Sequence, residues 1–269
     1  MPEADKADLE RDFELMQAAV REAGLLAMRF YKGDYRSWIK PGDTPVTEAD
    51  IAVNDLLHKR LAVARADYGW LSEETEDDPS RLTKQMVWVV DPIDGTRAFA
   101  RGKPHFAISV ALVRAGQPVL GVLFNPALDE FFVARHGAGA QLNGQPIRVS
   151  KRHELSGCRM AANAGMFRHP AWPEKWPEMH IIDRNSVAYR IALVACGGAD
   201  AALALSSKND WDLAAADLIL REAGGLMTRH DGQRFIYNLP EPRHPSLIAA
   251  GPALHAAISK RVSRMVLPE

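Results

Sequence analysis

Five acidic residues are the strongest candidates for a catalytic or metal-binding site in this sequence. They are Asp50, Glu73, Asp91, Asp94 and Asp212. If the fold gathers them, two like charges 4 Å apart repel by roughly 4 kcal/mol at an effective dielectric of about 20. Such a group requires either a proton on a carboxyl group or a cation among the carboxylates. Oxygen ligands without His or Cys favour Mg²⁺, Mn²⁺ or Ca²⁺ over zinc.

The run Asp-Pro-Ile-Asp-Gly-Thr at 91–96 is the strongest single feature. Pro92 fixes one φ angle and lacks an N–H, so the turn is rigid. Gly95 lets a ligand approach the backbone closely, and a helix that begins at Gly95 or Thr96 offers free N–H groups to an anion. Carboxylates for a metal beside N–H groups for a phosphate suit phosphoryl transfer. The alternative is a surface acidic turn with a Thr helix cap.

The other acidic residues have similar alternatives when each is taken alone. Glu73 opens the charged run 73–78, which suits a solvated surface. Asp50 and Asp212 each fall in the first turn of a predicted helix, where a negative charge is favourable in any case. Their common position at the ends of elements is what indicates a shared site.

Hydrophobic patterning predicts the elements that must position these residues. The predicted helices are Leu9–Phe30, Thr47 to about Ala66, Ser186–Cys196, Leu213–Ala223 and the last twenty residues. The predicted strands are Gly69–Leu71, Val87–Val90, Phe106–Val113, Val119–Phe124, Glu130–Arg135, Ala201–Leu205 and Ser246–Ala250. Three prolines and two tryptophans in His169–Met179 predict a surface loop.

A boundary near Val149–Leu155 predicts two α/β subdomains that pack side by side. The first, residues 1–148, carries most of the candidate metal ligands. The second, residues 149–269, carries Asp212 and the candidate substrate contacts.

Composition narrows the class of protein. The 269 residues are 47% hydrophobic and 25% charged, with a net charge of -1. This balance favours neither nucleic acid nor an anionic membrane as a partner. Cys158 and Cys196 make no disulfide framework, which favours a reducing, cytoplasmic compartment. The charged segment Met1–Arg11 has no apolar signal core, and no long apolar run predicts a membrane span.

Four blocks resemble the inositol monophosphatase superfamily of magnesium-dependent, lithium-sensitive phosphatases. They are Pro45–Asp50, Ser72–Glu74, Trp88–Thr96 and Trp211–Ala216, in the family's order and spacing. The resemblance implies an α/β, or layered α+β, fold: an αβαβα sandwich of the sugar phosphatase type with the site between two subdomains. It also implies hydrolysis of a small phosphorylated metabolite, and a homodimer.

The resemblance implies a role for each matched residue. Glu73, Asp91 and the carbonyl of Ile93 would hold a first metal ion, and Asp91, Asp94 and Asp212 a second. A third, weaker ion would lie near Glu73, and the ions would be Mg²⁺, with Mn²⁺ possible. Asp50 and Thr96 would orient and deprotonate the attacking water with Glu73 close by, and the N–H groups of Gly95 and Thr96 would hold the phosphate.

The substrate is less sharply indicated. Leu205 stands where inositol phosphatases commonly carry Glu, whereas Thr44–Thr47, Leu71–Glu74 and Arg97 resemble the bacterial 3′(2′),5′-bisphosphate nucleotidase branch. The leading substrate is therefore adenosine 3′,5′-bisphosphate. Arg190 and Lys208 are its candidate substrate-binding cations, because an arginine fork can bind two phosphate oxygens. Each is equally well explained as a solvated surface cation.

Further alternatives stay open. Trp172 and Trp176 either stack on a base or, as we favour, pack a loop. The substrate could instead be inositol 1-phosphate, histidinol phosphate or another polyol phosphate. A third interpretation is a family member whose main task is to bind a protein partner, as some bacterial relatives bind transcription machinery.

Overall fold

The structure is a computed structural model that describes residues 3–40, 44–169, 172, 174–263 and 265. The helices are α1 (Glu3–Phe30), α2 (Glu48–Leu61), α3 (Thr96–Ala100), α4 (Val187–Ala195), α5 (Asp210–Glu222) and α6 (Pro252–Val262). The strands are β1 (Ser37–Lys40), β2 (Thr44–Thr47), β3 (Gly69–Ser72), β4 (Met86–Asp94), β5 (Ala107–Arg114), β6 (Gln117–Asn125), β7 (Glu130–Arg135), β8 (Ala140–Leu142), β9 (Gln145–Pro146), β10 (Arg159–Ala161), β11 (His180–Ile182), β12 (Ala201–Ala204), β13 (Lys208–Asn209), β14 (Leu226–Thr228), β15 (Arg243–His244) and β16 (Leu247–Ala250). Short 3₁₀ helices lie at Pro79–Thr83 and Ala164–Arg168.

Two sheets organise the chain. The first has seven strands in the order β3-β4-β5-β6-β7-β8-β9, in which β3 and β4 are parallel and the later pairs are antiparallel. The second has five strands in the order β11-β10-β12-β16-β14. Two short ribbons, β1-β2 and β13-β15, lie outside these sheets.

Side chains that alternate along the strands create separate cores on the two faces of the first sheet. In β5, Ile108, Val110 and Leu112 pack with the apolar faces of α1 and α2. Ala107, Ala111 and Val113 point the other way and pack with α4 and α5. The far side of α4 and α5 meets the second sheet, and α6 covers that sheet's outer face. The expected αβαβα sandwich is therefore confirmed.

Some element boundaries differ from the sequence predictions. Helix α2 ends at Leu61, not near Ala66, and residues 62–67 form turns. The final helix stops at Val262, and residues 264 and 266–269 lie outside the described part of the chain. The first sheet lies within residues 69–146 and the second within 159–250. The division of the chain into 1–148 and 149–269 stays a prediction.

The described residues of the loop 169–179 form no helix or strand, and residues 170, 171 and 173 lie outside the described part. The Trp176 ring lies 5.0 Å from Phe167 and 5.1 Å from Trp172, centroid to centroid. The Trp172 indole donates to the carbonyl of Met166 at 2.7 Å. These contacts support loop packing over base stacking. In the described residues, no helix has both the length and the apolar character to cross a membrane.

Helix α5 lies unusually close to the first sheet at Gly121 of β6. A Cβ atom placed on Gly121 would lie 2.9 Å from the carbonyl oxygen of Ala215 and 3.3 Å from its Cα. Only a glycine lets the two backbones approach this closely. The first turn of α5 carries Asp212, so this contact also fixes the height of that carboxylate above the sheet.

We expect Gly121→Ala to destabilise the protein by about 1–3 kcal/mol, because a buried methyl group must displace helix backbone. Thermal unfolding measures the loss. Gly165→Ala is the control, since its added methyl group meets only the side chain of Asn163 on the surface. Equal melting temperatures for the Gly121 variant and the wild type would contradict the close approach.

Candidate active site

Three carboxylates from two elements meet in one cleft. Asp91 and Asp94 come from the carboxyl end of β4, and Asp212 comes from the first turn of α5. One oxygen from each lies within 4.8 Å of the others. Asp91 and Asp94 are buried, whereas Asp212 is half-buried. Glu73, one residue past β3, lines the same cleft of about 340 Å³.

A bulge in β4 aims the two β4 carboxylates. The ladder with β5 runs regularly to the pair Asp91–Ser109, and it resumes at Asp94–Ala107 with a shifted register. Strand β4 therefore has one more residue than β5 between these two pairs. A bulge of this kind redirects side chains. Pro92 fits here because it has no N–H to give to a ladder. The sequence predicted that the strand ends at Val90, whereas pairing continues to Asp94.

Asp94 is anchored to the start of α4. Its Oδ2 accepts bonds from the Ser186 hydroxyl and the Ala188 N–H, both at 2.6 Å. Ser186 is also the N-cap of α4, where its hydroxyl accepts from the Tyr189 N–H at 2.9 Å. Sequence reasoning missed Ser186 as part of the site, although a serine directly before a predicted helix is a recognisable capping signal.

Asp91 and Asp212 also use one oxygen each for a bond within the protein. Asp91 Oδ1 accepts from the Ile93 N–H at 3.0 Å, and Asp212 Oδ2 accepts from the Asn209 N–H at 2.8 Å. Asp91 Oδ2 is buried and has no hydrogen-bond partner among the described residues. A buried carboxylate oxygen without a donor is costly, and it is the type of atom that a cation would satisfy.

Burial raises the pKa of every member of this acidic group, and repulsion from neighbouring carboxylates adds to it at Glu73, Asp91 and Asp212. Burial raises the pKa of Glu73 to about 8, and the charge of Asp212 adds to the effect. Burial, with Asp94 second, raises the pKa of Asp212 to about 7. The pKa of Asp91 rises well above its ordinary value, chiefly through burial and then through Glu73. Burial also raises the pKa of Asp94. The residues therefore fit a hard divalent cation, which supplies the missing counter-charge.

Asp50 lies beside this group, connected to it through Thr96. The Thr96 hydroxyl lies 2.9 Å from Asp50 Oδ1 and 3.0 Å from the Ile93 carbonyl oxygen, so it can donate to either. The other oxygen of Asp50 accepts the Thr47 N–H at 2.8 Å and the Thr47 hydroxyl, which caps α2. Burial raises the pKa of Asp50 to about 6, against the opposing effect of these hydrogen bonds.

Gly95 and Thr96 line the cleft. Gly95 has φ +98°, and a Cβ there would lie 2.7 Å from the carbonyl oxygen of His105, so the position requires glycine. Thr96 is the first residue of α3, whose opening N–H groups have no partner within the helix. Helix α3 is short, with 5 residues.

The segment that carries Glu73 is fixed from two sides. The Glu73 N–H donates to the carbonyl of Val90 at 3.3 Å, which ties it to β4. The Ser72 hydroxyl donates to the side chain of Asn54 on α2 at 2.7 Å. The ammonium group of Lys40, on the β1-β2 ribbon, pairs with the carboxylate of Glu74. These contacts hold Glu73 in the cleft, close enough to Asp50 for the Asp50 charge to contribute to the raised pKa of Glu73.

The two candidate substrate cations differ in position. Lys208 lines the cleft, and its ammonium group donates to the Ser206 hydroxyl at 2.9 Å. Arg190 is half-buried on α4 and is not among the described residues that line the cleft. Its Nε donates to the carbonyl of Arg184, and its Nη2 lies 3.8 Å from Asp183. Burial lowers the pKa of both cations.

Comparison with known proteins agrees with this arrangement. The sequence model of the inositol monophosphatase family matches residues 8–266. The Inositol-1-monophosphatase of Mesorhizobium japonicum is 35% identical over 236 residues, which cover 83% of this chain and 84% of the relative. The Histidinol-phosphatase of Chlorobaculum parvum is 32% identical over 236 residues, covering 84% and 88%. The Nus factor SuhB of Xylella fastidiosa is 36% identical over 197 residues, covering 69% of each.

A solved structure shows the same architecture. The Thermotoga maritima IMPase superposes with a TM-score of 0.79 at 30% identity, covering 96% of each chain. Members of this family are metal-dependent phosphatases. Because the family match covers nearly the whole chain, this protein belongs to the inositol monophosphatase family, and it is a phosphoric monoester hydrolase.

Proposed function

We propose that this enzyme hydrolyses a small phosphomonoester with two or three divalent cations, Mg²⁺ before Mn²⁺. The observation that carries the proposal is the meeting of Asp91, Asp94 and Asp212 within 4.8 Å, in the cleft that Glu73 and Thr96 also line. Glu73, Asp91 and the carbonyl of Ile93 would hold one ion. Asp91, Asp94 and Asp212 would hold another, and a third, weaker ion would lie near Glu73.

When bound, such cations lower the pKa of the attacking water and neutralise charge on the phosphate and the leaving oxygen. The protein's part is to hold the ligands in place, since phosphoryl transfer depends mainly on positioning and charge. The bonds to Asp94 from Ser186 and Ala188, and to Asp212 from Asn209, supply that positioning. They engage one oxygen of each carboxylate and leave the other available to a cation.

Asp50 and Thr96 would act together as the base. The Thr96 hydroxyl donates to Asp50 at 2.9 Å, so as its oxygen takes a proton from the attacking water, its own hydroxyl proton would pass to the Asp50 carboxylate. The pKa of Asp50, about 6, suits a base that works near neutral pH. Glu73, which lines the same cleft as Thr96, would lie close to this water.

The opening of α3 would hold the phosphate. Gly95 and Thr96 line the cleft, and the free N–H groups at a helix N-terminus attract an anion. The left-handed conformation of Gly95 is what allows α3 to begin directly after the β4 bulge. This puts anion-binding groups within two residues of Asp94.

For the substrate, we infer a small phosphate of a polyol or an amino alcohol, such as inositol 1-phosphate or histidinol phosphate. The relatives named for those activities cover more than four fifths of the chain. Adenosine 3′,5′-bisphosphate is the second candidate. Lys208 on the cleft wall supports it, because a second phosphate needs a cation there.

Three other expectations stay predictions. Family likeness supports a homodimer, and the two-cysteine composition supports a cytoplasmic location. A role in binding a protein partner finds support only in the relative named as a Nus factor. The proposed catalytic set is present in full, so such a role would accompany catalysis.

Asp91→Asn tests the metal assignment. We expect phosphate release to fall by at least about 100-fold, because metal chemistry supplies several kcal/mol and each 1.4 kcal/mol is about tenfold in rate. The melting temperature in EDTA should stay level or rise, because the change removes one buried charge from a repulsive group. Asp129→Asn, on the surface, is the matched control. Near wild-type turnover by Asp91→Asn would refute the assignment.

The raised pKa values predict how stability depends on pH. In the unfolded chain these carboxyl groups titrate near pH 4, whereas folding raises the pKa of Asp212 to about 7 and of Glu73 to about 8. Between those limits the native state binds more protons than the unfolded state, so the free energy of unfolding falls as pH rises. Melting temperatures in EDTA should therefore drop between about pH 5 and about pH 8.

Magnesium should reverse this loss, since the cation replaces the protons as counter-charge. The rise in melting temperature on adding Mg²⁺ should be larger at about pH 8 than at about pH 5. Asp212→Asn should show a smaller fall with pH in EDTA because one titrating group is gone. A flat pH profile in EDTA would contradict the raised pKa values of Glu73 and Asp212.

A substrate screen separates the two substrate classes. With Mg²⁺, we expect faster release from inositol 1-phosphate or histidinol phosphate than from adenosine 3′,5′-bisphosphate. Lys208→Ala should reduce kcat/KM for the bisphosphate more than for the monophosphates, because only the bisphosphate carries a second anionic group, and Arg190→Ala, outside the residues that line the cleft, is the comparison variant. Equal losses on both classes would remove the argument for a second phosphate site, and a preference for the bisphosphate would overturn our choice.

A further inference from the structure

A buried arginine joins two parts of the chain that are far apart in sequence. Arg81 is 1% exposed. Its guanidinium makes a two-point ion pair with Asp77, at 2.6 and 2.9 Å. The same group donates to the side chain of Asn238 at 2.6 Å and to the carbonyl of Leu239 at 3.1 Å.

Asn238 continues this connection to the start of α5. Its N–H donates to Asp210 Oδ2 at 2.6 Å. The other oxygen of Asp210 lies 2.8 Å from Nε2 of His244 in β15. Asp210 and His244 are both buried, so α5 begins at a fixed point. We call Arg81, Asn238 and Asp210 the interlayer clamp.

The clamp joins the two elements that lead to two of the proposed metal ligands. Arg81 follows Glu73 by eight residues, at the far end of the segment that carries it. Asp210 precedes Asp212 by two residues, in the same helical turn. Arg81 packs against Gly69 at the start of β3, since a Cβ atom on Gly69 would lie 3.0 Å from the Cβ of Arg81, and Glu73 follows the other end of that strand. The clamp therefore ties β3, the strand that leads to Glu73, to the first turn of α5.

We propose that Arg81 and Asn238 are positioning residues that set the separation of Glu73 and Asp212, and through it the affinity for divalent cations. The proposal rests on the proposed function, because it needs both carboxylates to serve as metal ligands. Glu73 comes from the first sheet's side and Asp212 from α5, and a metal ligand must be held to within about 0.5 Å. Holding both ligands at a fixed separation therefore requires a contact between the first sheet and α5.

A buried arginine also needs partners for a purely structural reason, since an unpaired buried charge is costly. Loss of stability alone therefore does not distinguish the two roles. Metal affinity does, because a merely structural ion pair would lower the melting temperature and leave metal binding to the folded protein unchanged. Partners that orient metal ligands typically change metal affinity by about 10–100-fold when removed.

The test uses Arg81→Lys and Asn238→Gly in the full chain. Lysine keeps the charge and loses the fork that reaches Asp77 and Asn238 together. Glycine suits the left-handed φ of +59° at residue 238 and keeps the N–H to Asp210, so it deletes only the side-chain link. Calorimetric titration with Mn²⁺ and with Mg²⁺, without substrate, measures affinity directly. We expect affinity to weaken by about tenfold, with kcat at saturating metal close to that of the wild type.

Arg65→Lys is the matched control. Arg65 pairs with the buried Asp12 near the end of α2, away from the cleft. It should lower the melting temperature and leave Mn²⁺ affinity unchanged. If both clamp variants do the same, the positioning role is overturned while the proposed function stands. If the wild type itself binds neither ion, both are overturned. If Arg81→Lys does not fold, Asn238→Gly decides alone.

Discussion

Repulsion among buried carboxylates is the constraint on which the rest of this structure depends. Three of them lie within 4.8 Å, and a fourth lines the same cleft. The chain holds this unfavourable group by giving each aspartate at least one backbone or hydroxyl donor, from Ile93, Ser186, Ala188 or Asn209. These donors neutralise only part of the negative charge. A bound cation would neutralise the rest, and relief of the repulsion would then contribute to the affinity for metal.

The layered fold places the supports of the site at one seam. Strand β4 belongs to the first sheet, α4 and α5 lie between the sheets, and α2 covers the outer face. Asp50, Asp94 and Asp212 thus approach one another from three layers. A displacement of any layer would change the distances between ligands. The close approach at Gly121 and the interlayer clamp both act against such displacements.

Sequence motifs alone do not determine the substrate of this enzyme. Arg190 suggested a second phosphate, yet its guanidinium is engaged with Arg184 and Asp183. Lys208 remains on the cleft wall. A single cation there suits the negative charge of a monophosphate as well as a second phosphate. Lys208 therefore fits a monophosphate as well as it fits a nucleotide bisphosphate.

The sequence by itself determined the class of protein, most of the elements and the acidic residues. Periodicity predicted α1, β5 to β7 and α5 because local burial patterns fix them, and the four motif blocks pointed to the family that the comparisons confirm. Only the tertiary structure decided that Asp91, Asp94 and Asp212 meet within 4.8 Å, that β4 bulges before Asp94, that Ser186 holds Asp94, and that Arg81 reaches Asn238. Those contacts join residues up to 157 positions apart, and no local pattern encodes them, because they depend on how separate layers pack.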